Sequence, residues 1–322
     1  MSRRATPLAQ KQGVAPGDLI ARAGKTLVIC LGLSALDQIW RVPELFTGGN
    51  QKIRSLEYAT MGGGMAATAA VAVARLGGIA AFWGRGGKDA AGHEMHKALS
   101  SQGVDVTQFR LFPDGQSSVS GVVVDAAGER QIVNFRGQFP EQADWLPLEQ
   151  VETASAVLAD PRWLAGAVAL FRTARSKSIP TVLDADVADP KTFETLLPLT
   201  DHAVFSEPAL TGFAGSADEE ALARITDFGC GVAAVTRGAK GVAWLENNIM
   251  RHQPAYPVDA IDTTGAGDVF HGAYAFAIGA CLKATDAMSF AAAAAALKCT
   301  RAGGRAGIPT LEDCLAFQRN GK

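Results

Sequence analysis

The sequence predicts an α/β fold, a doubly wound and mostly parallel sheet carrying a small β-rich lid. Three observations lead there. Short continuous apolar runs recur along the chain, and strands of that kind are buried on both faces. Helical segments separate those runs, and alternating strands and helices imply a doubly wound sheet. Two stretches, residues 38–61 and 116–135, break the rhythm and read as β-rich. The chain has 322 residues, 48% of them hydrophobic, which suits one large domain with a small appendage better than two independent domains.

Taken in order, residues 1–24 carry Arg3, Arg4, Lys11 and Arg22 but no apolar signal region. They are expected to be a disordered leader, with the folded domain over residues 25–322. Residues 26–31 read as a strand ending at Gly32. Residues 66–76 are rich in alanine and valine and read as a helix closed by Gly77 and Gly78. A strand over 79–83, a glycine-rich turn and an amphipathic helix over 92–102 follow. Residues 119–124 and 130–135 flank the turn 125–128 as a hairpin. The runs 156–159, 181–183, 203–205 and 232–235 are further core strands, with helices over 160–177 and 218–228. Ligands of such sheets bind at the carboxyl ends of the strands.

Bulk properties exclude several classes. The formal net charge of -2 gives no basic field for nucleic acid. No apolar run reaches membrane-spanning length, and the alanines at 291–296 read as a buried helix. The cysteines Cys30, Cys230, Cys281, Cys299 and Cys314 are scattered, as reduced thiols of a cytoplasmic protein would be. Gly24-Lys25-Thr26 mimics a P-loop, but Leu19 stands where its first glycine belongs. His93-Glu94-Met95-His96 lacks the spacing of a zinc protease. No strand–G-x-G-x-x-G–helix occurs near the start, so hydride transfer fits poorly.

The strongest signal is Asp262-Thr263-Thr264-Gly265-Ala266-Gly267-Asp268-Val269-Phe270. Gly265 and Gly267 let the backbone approach an anion, and the apolar stretch 269–282 is a helix whose free N–H groups and dipole favour negative charge. Asp268, in its first turn, is placed to take a proton from a hydroxyl attacking phosphorus. Phosphoryl transfer needs little more than positioning, charge stabilisation and such a base.

This string resembles the C-terminal signature of the ribokinase-like (PfkB) carbohydrate kinases, and the resemblance runs from about Lys25 to the C-terminus. It implies a ribokinase-like fold, ATP and Mg²⁺. Gly63-Gly64-Met65-Ala66-Ala67-Thr68 resembles the family's N-terminal glycine motif, with Met65 where most members have a sugar-binding asparagine. Gly84, Gly87, Asp89 and Gly92 resemble the next glycine–aspartate turn. By the same resemblance Asp37, Gly63 and Gly64 hold sugar. Thr236, Gly238 and Gly241 belong to a nucleotide loop, joined by Thr264, Cys299 and Gly303. Gly265, Ala266 and Gly267 stabilise the transferring group. Where the family often has N-x-x-E near Mg²⁺, this chain has Ser206-Glu207-Pro208-Ala209, leaving Glu207 as substitute. Asp262 and Thr264 match positions that hold a monovalent cation in some relatives, so potassium activation is an expectation. Asp184 and Asp186 follow a strand, either to orient metal-bound water or to cap a helix; His271 is read as a packed helix histidine.

Finer strings, such as Leu158-Ala159-Asp160 with Arg162-Trp163, and 297–301 with 303–309, resemble one subgroup, the sulfofructose kinases of sulfoglycolysis. These phosphorylate the 1-hydroxyl of 6-deoxy-6-sulfofructose. A sulfonate is a fixed anion with three acceptor oxygens, and Lys52, Asn134 and Arg162 are the expected donors, converging at the lid edge. Two alternatives stand beside this reading: a kinase of another ketose or ketose phosphate, and a catalytically silent nucleotide- or sugar-binding sensor. Lids in this family often pair edge to edge, which implies a homodimer.

Overall fold

The structure is a computed structural model that describes residues 16–320. Its strands are β1 (Leu27–Gly32), β2 (Ala35–Arg41), β3 (Glu57–Gly63), β4 (Ile79–Gly87), β5 (Phe109–Phe112), β6 (Ser118–Val124), β7 (Arg130–Phe135), β8 (Ala156–Ala159), β9 (Thr181–Ala185), β10 (His202–Ser206), β11 (Val232–Thr236), β12 (Val242–Glu246) and β13 (Ile249–Gln253). Nine of them form one sheet in the order β13-β12-β11-β10-β9-β8-β1-β4-β5. Seven run parallel, and β12 and β13 extend the edge antiparallel.

Alternation along each strand divides the core in two. Val28 and Cys30 of β1 face the helices Met65–Arg75, Ala266–Gly279 and Ala284–Cys299. Ile29 and Leu31 face the opposite layer, which includes the helix Leu164–Ser176. Every residue of β8 and β9 is buried, as their unbroken apolar runs predict. The helices Met65–Arg75 and Ala266–Gly279 nearly touch at Gly272, where a Cβ would stand 2.4 Å from Ala69 O.

From β1 the chain winds one way to β4 and β5, then crosses to β8 on the other side of β1. This reversal opens a crevice at the carboxyl ends of β1 and β8, the place where such sheets bind ligands. Over it sits a separate four-stranded sheet in the order β3-β2-β6-β7. The expected hairpin is present, its turn held by Asp125 Oδ1, which accepts from the amides of Ala127 and Glu129 at 2.9 Å each. The region 38–61 is strand only at its ends, since no strand occupies 42–56.

The leader needs correction. Most of it lies outside the described residues, but Leu19–Ala23 form a short helix with Leu19 and Ala23 buried. Leu19 inserts into the core, and Arg22 donates to Ala280 O at 3.3 Å, so the packed domain begins before Lys25.

Candidate active site

Gly265 adopts φ 75°, a left-handed conformation that glycine takes at no steric cost, and caps the helix Ala266–Gly279. The helix begins three residues earlier than the apolar pattern alone indicates, which places Ala266, Gly267 and Asp268 in its first turn. The Ala266 amide donates to Thr263 O at 3.2 Å, while those of Gly267 and Asp268 have no preceding helical turn to bond and favour an anion. Asp268 is half-buried. Burial, and then the nearby Asp184, push its carboxyl well above the usual range, while His271 and Arg305 oppose them.

Arg305 is the residue the sequence reading left without a role. It is 8% exposed, donates from Nε to Thr68 Oγ1 at 3.1 Å and from Nη2 to Gly63 O, and its Nη1 stands 2.3 Å from where a Gly62 Cβ would lie. Burial lowers its pKa to about 10, against the attraction of Asp268 and Asp37. One guanidinium thus joins Thr68 to the glycine turn and lies near enough to Asp268 to attract its carboxylate. His271, one turn beyond Asp268, is buried with ring nitrogens 2.7 Å from Gly267 O and 3.1 Å from Val204 O. It fixes the helix start against β10.

On the β1 side, Asp160 is fully buried and accepts from the amides of Leu33 (2.7 Å), Ala66 (3.1 Å) and Arg162 (2.9 Å). Burial raises its pKa against those bonds. Gly32 is required there, because a Cβ would lie 2.2 Å from Asp160 Oδ2. Asp160 therefore ties the end of β1 to the start of the helix Met65–Arg75 and sets the position of Gly63 and Gly64. Asp37 leans on that turn, its Oδ2 2.5 Å from where a Gly63 Cβ would lie.

A cavity of ≈ 590 Å³ opens beside this turn. Its walls include Met65, Asn134 and three arginines, Arg85, Arg136 and Arg162, against the acids Glu141 and Asp189. Asn134 donates to Ser120 Oγ at 3.0 Å. Arg162 is already engaged, pairing with Asp186 at 2.8 Å and donating to Val187 O at 2.7 Å. Lys52 does not join them: it is exposed on the 42–56 connection and outside the cavity wall. The expected convergence of three donors is therefore two, because no strand pairing pulls that connection inward. Arg85 supplies a cation the sequence reading missed, its guanidinium 4.6 Å from the Trp163 ring centre and 5.4 Å from that of Phe139.

The opposite end of the crevice holds Thr236 at the tip of β11, followed by Gly238 and Gly241 in a tight turn. Gly241 has φ 88°, and a Cβ would lie 2.1 Å from Gln253 O. Cys299 O accepts from the amides of Ile261 and Asp262 at 2.7 and 3.1 Å, and Gly303 N donates to Asp262 Oδ2 at 3.1 Å. Arg130 of the small sheet reaches Thr264 Oγ1 at 3.4 Å, so that sheet overhangs the 262–268 turn.

Among the described residues no three acidic, histidine or cysteine side chains form a metal cage. Mg²⁺ asks for less, since it keeps waters and phosphate oxygens. Buried Asp184 Oδ2 has no hydrogen-bond partner, and Glu207 heads a helix at the carboxyl end of β10, 3.9 Å from Arg237 Nε. These carboxylates fit a magnesium ion brought in by a nucleotide. A monovalent cation at Asp262 and Thr264 does not fit, because Lys298 Nζ already lies 2.8 Å from Asp262 O and 3.1 Å from Asp262 Oδ2.

The family model of the pfkB family carbohydrate kinases matches residues 25–311. This chain belongs to that family. The kinase is 29% identical over 303 residues to the ribokinase of Haemophilus influenzae, covering 91% of this chain and 98% of that one. A solved structure from Agrobacterium tumefaciens, provisionally described as a ribokinase, is 36% identical with a TM-score of 0.86, over 92% of the kinase and 98% of that chain. The Arabidopsis thaliana ribokinase complexed with ribose and ATP is 25% identical with a TM-score of 0.81, over 91% and 98%. The ribokinase-like fold and the sugar kinase class are thereby established for this chain.

Proposed function

We propose that the kinase phosphorylates the 1-hydroxyl of 6-deoxy-6-sulfofructose with ATP. The observation that carries this reading is the cavity beside Gly63-Gly64, walled by Arg85, Arg136, Arg162 and Asn134 and lying on the sugar side of the crevice. Guanidinium groups suit a sulfonate's fixed charge and three acceptor oxygens. The subgroup strings at 158–163 and 297–309 support the same substrate.

Asp37 and the turn at Gly63-Gly64 hold the sugar hydroxyls. ATP lies along the carboxyl edge, against Thr236, Gly238, Gly241, Thr264, Cys299 and Gly303. Asp268 takes the proton of the 1-hydroxyl as its oxygen bonds the γ-phosphorus, the bond to the bridging oxygen breaks, and ADP leaves. The amides of Gly265, Ala266 and Gly267 meet the charge on the transferring group. Glu207 would help hold Mg²⁺, which when bound would supply neutralisation of phosphate charge. The small sheet acts as lid, excluding water and limiting ATP hydrolysis. Lys52, whose charge has no partner among the described residues, joins the sulfonate when the lid closes.

The kinase works as a homodimer through the lid. Its edge strand β7 is exposed throughout and carries Ile132, Val133 and Phe135. Exposed apolar edges seek partners.

The test is ADP release with ATP and Mg²⁺ on sulfofructose, fructose 6-phosphate, fructose and ribose, with Asp268→Asn as control. Sulfofructose is expected to show the highest kcat/KM. A preference for fructose or ribose removes the sulfonate pocket and keeps the kinase. ATP binding with no turnover on any of them favours the sensor.

A further inference from the structure

The helix Ala284–Cys299 is largely alanine, and its last turn carries Lys298 inward to 0% exposure. A buried ammonium is costly unless its three N–H groups find acceptors. Lys298 Nζ has three: Asp262 O at 2.8 Å, Asp262 Oδ2 at 3.1 Å and Arg301 O at 3.4 Å. The same carboxylate accepts from Thr264 N on Oδ1 at 2.9 Å, and from Gly303 N and Gly304 N on Oδ2 at 3.1 and 3.2 Å. Burial works against ionisation of Asp262, but the bonds from Thr264, Gly304 and Lys298 prevail and hold it well below the usual carboxylate range.

Two backbone carbonyls and a carboxylate around one positive charge form a donor set suited to a dehydrated monovalent cation. Here the ammonium occupies it. A potassium ion would set a second positive charge against the single Asp262 carboxylate and compete for oxygens already bonded to Nζ. We propose that Lys298 is a built-in cation, which joins the 261–264 segment to the 299–304 turn and makes the kinase independent of potassium. The first segment leads into Gly265 and Asp268, and the second into Arg305. Lys298 is therefore a positioning residue for both.

This inference rests on the kinase reading of the catalytic turn. Its test measures ADP release on the best sugar at fixed ionic strength, in potassium, ammonium, sodium or tetramethylammonium chloride. The wild-type rate is expected to vary less than about twofold among them. Lys298→Ala, which leaves room for an ion, is expected to fall about tenfold or more in tetramethylammonium and to recover in potassium or ammonium. Lys298→Met fills the space without charge and is expected not to recover. Severalfold potassium activation of the wild type overturns the proposal. So does a folded Lys298→Ala that keeps full activity in tetramethylammonium, or that loses activity no cation restores. Should the variants not fold, the wild-type profile alone decides. Absence of turnover in every salt instead removes the kinase reading.

Discussion

The two sheets of this molecule are built by opposite rules. In the large sheet β8 and β9 are buried at every position, and their carboxyl ends carry buried acids, Asp160 and Asp184. In the small sheet β7 is exposed at every position, Val133 to 75%. One sheet is covered by helices on both faces; the free edge of the other reaches the 262–268 turn through a long bond from Arg130 to Thr264. Chemistry belongs on the first and movement on the second, because a base must stay placed while substrate enters and leaves.

The largest test of this division is Asp268→Asn, expected to lower kcat by about 10²–10⁴ with sugar KM nearly unchanged. Thermal melting should stay the same or rise, since the half-buried carboxylate, its ionised form disfavoured by its surroundings, is replaced by a neutral amide. A large rise in KM with kcat kept would mean that the rigid edge binds rather than reacts.

Arg305→Met comes next, with kcat expected about 10- to 100-fold lower, the worth of charge-assisted bonds to a buried guanidinium. It also moves the pH profile. As the proposed base Asp268 would work ionised, and its pKa is raised, so activity is expected above that pKa and lost as pH falls through it. Arg305 opposes the rise, so its removal shifts the acid limb to higher pH. An unmoved limb would detach Arg305 from the base.

Two smaller effects sharpen the account of the small sheet. Wild-type kinase is expected to sediment as a dimer and Val133→Glu as a monomer; a monomeric wild type would leave the apolar edge unexplained. Lys52→Ala should raise KM for sulfofructose by a few-fold with kcat kept, as suits an exposed ion pair worth about 0.2–1 kcal/mol. Equal loss on unsulfonated fructose would place Lys52 elsewhere.

The same contrast explains what the sequence reveals. Residues 156–159 and 181–183 read as strands because both faces are apolar, and Gly265 to Asp268 read as an anion-binding turn because glycines precede a helix. Arg305 and Lys298 pass unnoticed for one reason: their partners are distant. Arg305 bonds Gly63 O across 242 positions, and Lys298 bonds Asp262 O across 36. A basic residue at a helix end ordinarily reads as a solvated charge, and only tertiary packing turns these two inward. Lys52 is the opposite case, a charge with plausible chemistry that stands exposed on a connection outside the cavity wall. The helix at Leu19–Ala23 escapes because five residues carry too little periodicity.

Asp160 has one more effect, on time rather than position. The amides of Leu33, Ala66 and Arg162 all end on a carboxylate that is 0% exposed. In deuterated solvent they should exchange only through the rarest openings of the molecule, while β7 exchanges early. Substrate should slow the second group and leave the first as it was, so the labelling record would date the two sheets separately.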